Sequence, residues 1–353
     1  MARVGGHVAE ASGGLEKPPT MKDVATRAGV GVGTVSRVVN SSAPVSPETT
    51  KRVERAIREL SFHPNDIARS LRPGQGPKTI GLVAGDLTNP FYATLAKGAM
   101  VAASRRGFAV LIAMVDEDPD AERTAVRGLL SRGVAGLLLV PDKGDHGYLD
   151  ERGEGMGVPT VMLDRPASGV QRDVVLFDNE AAGKMVTEHL LGHGHTRIGV
   201  LVAPSFYTTG RRLRGFRSAM RDAGVGVDES LVLRLANGSP ASAEEGSRRL
   251  LARGDAPTAL FTTTSFVTLG ALRAMRSVSH RPAIVGFDDF PHADLLPTPI
   301  SVVAANPEEL GRVGVERLFM RLEERDLPPA HIVLEVSLHE RGSGEAAPTA
   351  EPA

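Results

Sequence analysis

Beyond the segment Pro73-Gly-Gln-Gly-Pro77, short apolar runs of strand type alternate with helical patterns, and this alternation restricts the possible folds more than any other feature. The first series is IGLVAG, a helical pattern over Phe91–Arg106, FAVLIAM, a helical pattern over Asp120–Ser131, then GLLLV, VPTVML and VVLF. A second series follows the same plan: RIGVLVA, Arg211–Ala223, LVLRL, Ser242–Arg253, TALFT, Val267–Ser277 and PAIVGF. Wholly apolar strands separated by helices imply parallel sheets covered on both faces and wound right-handedly. About 260 residues of this pattern is too much for a single such sheet, so two similar lobes, each with its own sheet, are expected over residues 79–341.

Ahead of the break, every candidate element is a short helix. Thr20-Met-Lys-Asp23 has capping-box form, Val24, Ala25 and Ala28 supply an apolar face, and Gly29 is a natural stop. Val35, Val38 and Val39 mark the buried stripe of a second helix ending at Asn40. Ser46-Pro47-Glu48 opens a third, with Val53, Ala56, Ile57 and Leu60 inward and Lys51, Arg52, Arg55 and Arg58 elsewhere. A generic three-helix bundle would satisfy the apolar spacing of residues 20–63. Two helices separated by a Gly-containing turn in a basic segment favour a helix-turn-helix. The charge supports that reading. Thr20–Lys78 holds ten Lys/Arg against five Asp/Glu, leaving 31 basic and 37 acidic residues elsewhere in a chain of net charge −1. A basic module on an acidic body suggests that one part meets a polyanion.

Residues 1–19 and 342–353, rich in Gly, Ala and Pro without periodicity, read as a disordered lead and tail. Residues 64–78 read as a linker whose one short helical pattern is marginal alone in water. No run approaches the roughly 20 apolar residues of a membrane span, and the N-terminus lacks the apolar centre of a signal peptide. The absence of cysteine fits a reducing cytoplasm. Nucleophile-elbow, zinc-protease and phosphate-loop motifs are missing, which argues against an enzyme. His189, His193 and His195 lie close together but lack a matching carboxylate, so neither a metal nor a cofactor is expected.

TMKDVATRAGVGVGTVSRVVN, VSPETTKRVERAIREL and HPNDIARSLR resemble the LacI/GalR family of regulators, and DLTNPFY, VPTVMLDRP, DNEAAG, HLLGHGHTRI, RRLRGF and VGFDD continue the likeness in order. The resemblance spans roughly residues 20–341. It implies an all-α helix-turn-helix headpiece followed by an α/β core of two parallel-sheet lobes, like periplasmic binding proteins. It also implies a homodimer on an inverted-repeat DNA operator, whose affinity is set by a small effector, here expected to be a sugar. A nucleoside effector is one alternative; a cytoplasmic solute-binding protein is another.

By position the resemblance assigns base reading to Val32, Gly33 and Arg37 and phosphate contact to Thr20, Thr34, Ser36 and Asn40. Arginine can donate two bonds to guanine, whereas phosphate contacts orient without reading sequence. The segment 64–78 becomes a hinge helix in which Leu71 wedges into the minor groove, Ala68 keeps the pair of helices close, and Arg69 and Arg72 meet phosphate. Gly31 stands where relatives usually carry serine, and glycines at 31 and 33 would weaken the recognition helix if both lay inside it.

Ligands of parallel α/β sheets sit beyond the carboxyl ends of the strands. Asp86, Asp164, Asp178 and Asp288 all follow strand-like runs, where aspartate is also a common helix cap. The cap reading leads for Asp86 and Asp178. The family motifs favour ligand contact for Asp164 and Asp288 and make Arg212 the main anchor. Asn89 and Phe91 should line the same cleft, together with Thr264 and Phe266. Many sugar-responsive relatives carry Asn-Asp where this chain has Thr264-Ser265, so a different or bulkier ligand is expected on that side.

Overall fold

The computed structural model describes residues 19–40, 43–62, 78–115, 118–150, 157–204, 207–278 and 281–348. The chain divides into two compact units, Met1–Gly76 and Pro77–Ala353. The expected hinge residues Ala68, Arg69, Leu71 and Arg72 lie outside the described residues, as does the lead up to residue 18.

In the first unit the described helices are α1 (Met21–Ala28), α2 (Val32–Asn40) and α3 (Pro47–Glu59). The Thr20 N–H donates to Asp23 Oδ2 at 2.7 Å and the Asp23 N–H returns to Thr20 Oγ1 at 3.4 Å, completing the capping box. α1 ends at Gly29, which adopts φ +64°, a left-handed conformation costly for any residue with a Cβ. Arg52 of α3 donates through Nη2 to the Ala28 and Gly29 carbonyls at 2.9 and 3.0 Å. Its charge thus sits at the negative end of α1 and ties two helices together. Val24, Val35 and Val53, one from each helix, are fully buried, with Ala25, Ala28, Ala56 and Phe62 around them. The Gly31 carbonyl accepts from the Thr34 and Val35 amides, so Gly31 stands just ahead of α2 and only Gly33 lies within it.

Among the described residues, the second unit contains two six-stranded sheets. Lobe 1 is built from β1 (Thr79–Ala84), α4 (Pro90–Arg105), β2 (Ala109–Met114), α5 (Pro119–Ser131), β3 (Leu137–Leu139), β4 (Thr160–Leu163) and β5 (Asp173–Phe177). Lobe 2 follows with α6 (Asn179–Gly192), β6 (Ile198–Val202), α7 (Tyr207–Asp222), β7 (Val232–Arg234), α8 (Pro240–Leu251), β8 (Ala259–Thr262), α9 (Ser265–Met275), β9 (Ala283–Phe287) and β10 (Ser301–Ala304). The chain then returns to lobe 1 for α10 (Pro307–Glu323) and β11 (His331–Leu334), and ends in lobe 2 with β12 (Ser337–His339). The strand orders are β11-β5-β4-β3-β1-β2 and β12-β10-β9-β8-β6-β7, one lobe repeating the other.

Lobe 1 is parallel throughout, as expected, but β12 pairs antiparallel with β10. The cause is the two-residue link Glu335-Val336. β11 runs toward the cleft, and a chain that enters lobe 2 there with no room to turn must run away from it. All three crossings lie at the strands' carboxyl ends, and Ala305 and Val336 pack against the cores of both lobes.

The disordered tail expected from Gly342 is not what the structure shows through Ala346. Ser343 is 5% exposed. Its Oγ accepts from the Ser301 N–H at 2.8 Å and donates to the Ile284 carbonyl at 2.6 Å. Glu345 accepts from Ser301 Oγ at 2.9 Å and pairs with His189 Nε2 at 2.9 Å, and the Ala346 carbonyl meets His195 Nε2 at 2.7 Å. Composition alone misses this because the segment is held by polar bonds to the lobe rather than by its own apolar residues. Among the described residues, no helix is long and apolar enough to cross a membrane.

Candidate functional site

In the first unit the three residues assigned to base edges project from one helix. Val32 is 45% exposed, Gly33 and Arg37 are exposed, and Val35 turns inward. Thr34 and Ser36 are half-buried beside them, and Asn40 closes α2. Thr20 is the α1 cap, its hydroxyl donating to Asp23 Oδ2 at 2.6 Å. A helix with an apolar side chain, a bare backbone position and a guanidinium on its outer face has the size and donors to enter a major groove.

In the second unit a cavity of about 550 Å³ is lined by residues of both lobes. All seven residues expected there line it: Asn89, Phe91, Asp164, Arg212, Thr264, Phe266 and Asp288. Three are placed by helix starts. Asn89 caps α4, accepting the Phe91 N–H at 3.0 Å, and Thr264 caps α9, accepting the Val267 N–H at 3.3 Å. Phe91 then lies edge-on to Tyr92, with centroids 5.2 Å apart.

Arg212 lies on α7 and is 3% exposed. Its Nε donates to Asn179 Oδ1 at 2.8 Å, its Nη1 donates to the Thr263 carbonyl at 2.6 Å, and its guanidinium lies 3.3 Å above the Phe287 ring centroid. That arrangement needs α6 and α7 in backbone contact. A Cβ on Gly183 would overlap the Arg212 carbonyl, and one on Gly215 would overlap that of Glu180. Two glycines therefore bring Asn179, at the start of α6, within reach of the guanidinium.

Asp164 and Asp288 follow β4 and β9, which hold the same place in the strand orders of the two lobes. Both adopt positive φ, +68° and +67°, a strained region that Asp and Asn tolerate better than most residues. At Asp164 the turn is closed by Arg165 N–H donating to the Leu163 carbonyl at 2.8 Å. Burial pushes the Asp164 carboxyl up against the opposing pull of Arg165 and Arg212. Burial likewise raises Asp288 to about 6, with Arg212 holding it down and Asp164 adding to the rise. Asp288 Oδ1 is buried and has no partner among the described residues. Burial also lowers Arg212 from its ordinary value, against Asp288 and Asp164.

Asp178 is the α6 cap, accepting the Ala181 N–H at 2.9 Å. Asp86 caps no helix; it accepts the Thr88 N–H at 2.8 Å in a tight turn, leaving the cap of α4 to Asn89, and it lines the cleft. Tyr92, Arg165, Glu122 and Asp142 also line it and were not expected. Tyr92 and Arg165 directly follow the expected Phe91 and Asp164, a signal that sequence adjacency could have supplied. Glu122 offered none, because its role depends on a distant loop. It accepts the Asp142 N–H at 2.6 Å and the Tyr148 hydroxyl at 2.8 Å, and pairs with His146 Nε2 at 3.1 Å. Burial raises the Glu122 carboxyl, but these partners outweigh it and hold the group below its usual range.

Residues 20–65 match the model of bacterial regulatory proteins of the lacI family, and residues 187–344 match a periplasmic binding protein-like domain. The ribose operon repressor of Escherichia coli K12 is 31% identical over 329 residues, covering 92% of this chain and 99% of that one. The lac repressor dimer bound to operator and the anti-inducer ONPF superposes with a TM-score of 0.84 at 28% identity, covering 94% of this chain and 100% of that one. The complex of the transcriptional regulator CelR with cellobiose gives a TM-score of 0.69 at 33% identity, covering 92% and 99%.

Proposed function

The chain belongs to the lacI family of bacterial regulatory proteins, and from that premise we propose that it represses transcription as a homodimer on an inverted-repeat operator, released or strengthened by a small carbohydrate in the cleft of its second unit. The observation that carries the effector reading is the convergence of Arg212, Asp164 and Asp288 on one cavity lined also by Phe91 and Phe266. Carboxylates and a fixed guanidinium orient hydroxyls while aromatic faces cover the apolar side of a sugar ring. The same rings give a nucleoside as the second reading.

Base reading by Val32, Gly33 and Arg37, phosphate contact by Thr20, Thr34, Ser36 and Asn40, and minor-groove entry by Ala68, Arg69, Leu71 and Arg72 belong to the same proposal. The last four rest on the sequence resemblance alone. A dimer is further supported by large apolar side chains left exposed on adjoining elements of lobe 1: Met100 (49%) and Val101 (41%) on α4, and Leu111 (37%) and Met114 (60%) on β2.

A mobility-shift titration with the DNA upstream of its own coding sequence tests the reading, run with and without ribose, cellobiose and a nucleoside panel. The expected result is a shifted complex whose midpoint moves with a sugar, and footprinting of that complex should protect a site with two-fold symmetry. A chain that binds sugar but no DNA would instead be a solute-binding protein.

A further inference from the structure

Given the effector reading above, the lobe 1 wall of the cleft holds a residue placed to act through its neighbours. Glu122 lies in the first turn of α5 and is 2% exposed. The positive end of the helix favours its ionised form. Its Oε2 accepts the Asp142 N–H at 2.6 Å, while its Oε1 accepts the Tyr148 hydroxyl at 2.8 Å and pairs with His146 Nε2 at 3.1 Å. One carboxylate thus holds the segment from Asp142 to Tyr148 at three points.

The Asp142 N–H belongs to the peptide group whose carbonyl is that of Pro141. That carbonyl accepts from Arg165 Nε, and Arg165 Nη1 donates to Asp164 Oδ2 at 3.2 Å. A single peptide therefore lies between an anion at its N–H and a cation at its C=O, the orientation that its dipole prefers. Hydrogen bonds aligned in such a row strengthen one another where water is excluded. The row starts at Glu122, crosses the peptide to Arg165 and ends on Asp164, a carboxylate assigned above to the effector. A second tie joins the same two loops, from the His146 N–H to the Ser168 carbonyl at 2.9 Å. Asp164 stands at φ +68°, a strained conformation that persists only where its surroundings enforce it.

We propose that Glu122 is a positioning residue for the effector. It fixes the Pro141–Asp142 peptide, and through it the Arg165 guanidinium and the Asp164 carboxylate, in the orientation that receives the ligand.

The test uses the full-length protein and two readouts. One is the NMR signal of the Arg165 Nε–H, identified by its loss in Arg165→Lys. The other is the rise in melting temperature caused by a small-molecule extract of the cells the protein comes from. Glu122→Met fills similar space but accepts no hydrogen bond, whereas Glu122→Gln keeps an oxygen for the Asp142 N–H. Tyr148→Phe removes a prop of Glu122 and leaves the peptide held. Circular dichroism checks the folding of each.

The extract should raise the melting temperature of the parent protein by several degrees. In Glu122→Met the Arg165 signal should shift and exchange faster with solvent, and the rise should shrink to less than half. Glu122→Gln should restore both. Tyr148→Phe should melt earlier than the parent yet keep both, which separates positioning from mere support of the fold. Glu122→Asp, which draws the charge back by one methylene, should show a milder form of the same loss and serves if Glu122→Met does not fold. An unmoved Arg165 signal and an undiminished rise in the folded Glu122 variants overturn the positioning role and leave the effector reading standing. No rise in the parent, or a rise kept in full by Arg212→Ala, removes the effector reading and the inference with it.

Discussion

Asp164 and Asp288 hold the same place in two different lobes: each donates its N–H to the neighbouring strand, to Val175 O at 2.8 Å and Val303 O at 3.0 Å, and each does so at positive φ. The two carboxyls share a cavity with Arg212, and their mutual repulsion adds to the rise of Asp288 to about 6.

That rise makes a signed prediction. A carboxyl with a raised folded pKa binds more protons folded than unfolded between about pH 4 and 6, so its contribution to stability falls as pH rises through that window. Asp288→Asn removes the charge and keeps a residue that accepts positive φ. The variant should be the more stable protein above pH 6, by at most about 3 kcal/mol, with the advantage shrinking toward pH 4. Melting curves of both proteins from pH 4 to 8 measure this; a gap that is constant across the range would refute it.

Arg212→Ala should abolish the effector's influence on DNA while sparing the DNA affinity of the free protein. It also orphans Asn179 and Thr263, so a loss of about 1–3 kcal/mol in stability is expected. Operator titrations with and without the effector read the first effect and thermal melting the second. An effector response kept at full strength in a folded variant would contradict the anchor role.

Neither Gly31 nor Gly33 has anything within 4 Å of where a Cβ would stand. Gly33→Ala, inside α2, should add about 0.5–1 kcal/mol of helix stability, and Gly31→Ser, at the cap position, about a few tenths of a kcal/mol. Hydrogen exchange of the α2 amides should slow in both. Operator affinity should separate them: Gly33→Ala weakens it if the bare backbone approaches a base, and Gly31→Ser does not. Equal operator affinity for both variants would remove Gly33 from the reading surface.

Ser343→Ala leaves the Ser301 N–H and the Ile284 carbonyl without their buried partner and should cost about 1–3 kcal/mol. Deleting residues 342–353 should cost more, since the His189 and His195 contacts go as well. Chemical denaturation of the full-length protein and the truncated one checks both. A truncated protein as stable as the parent would show the segment to be an ornament.

The legible parts of the fold were those written in local pattern. Thr20-x-x-Asp23, Gly29 and Ser46-Pro47 mark helix ends through their own side chains or backbone, and the structure places the ends there. Most strands from β1 to β9 were legible because they are buried on both faces and so continuously apolar; the edge strands β2 and β7 are partly exposed and were legible only because the runs that hold them, FAVLIAM and LVLRL, are still mostly apolar. β11 was not, because it is an edge strand with alternating exposure, and β12 is only three residues long. Nothing in the local spacing of α10 says that it covers lobe 1 after the chain has already built lobe 2. The cleft residues followed the same rule. Asp164, Arg212 and Asp288 were found through motifs, whereas Glu122 and Asp142 came together only through a hydrogen bond between segments 20 residues apart.

The chain's three passages between the lobes also govern the order in which the molecule can assemble. Lobe 1 begins at Thr79, yet its covering helix α10 and its edge strand β11 are supplied by residues 307–334. A growing chain must therefore carry an open sheet edge on β5 and an uncovered face beside α4 through the synthesis of nearly all of lobe 2. Contacts so distant in sequence form slowly, and exposed edges invite wrong pairing in the interval. Neither lobe can be finished as a contiguous piece of polypeptide, so the half-made protein depends on residues 307–334 to close the first thing it began.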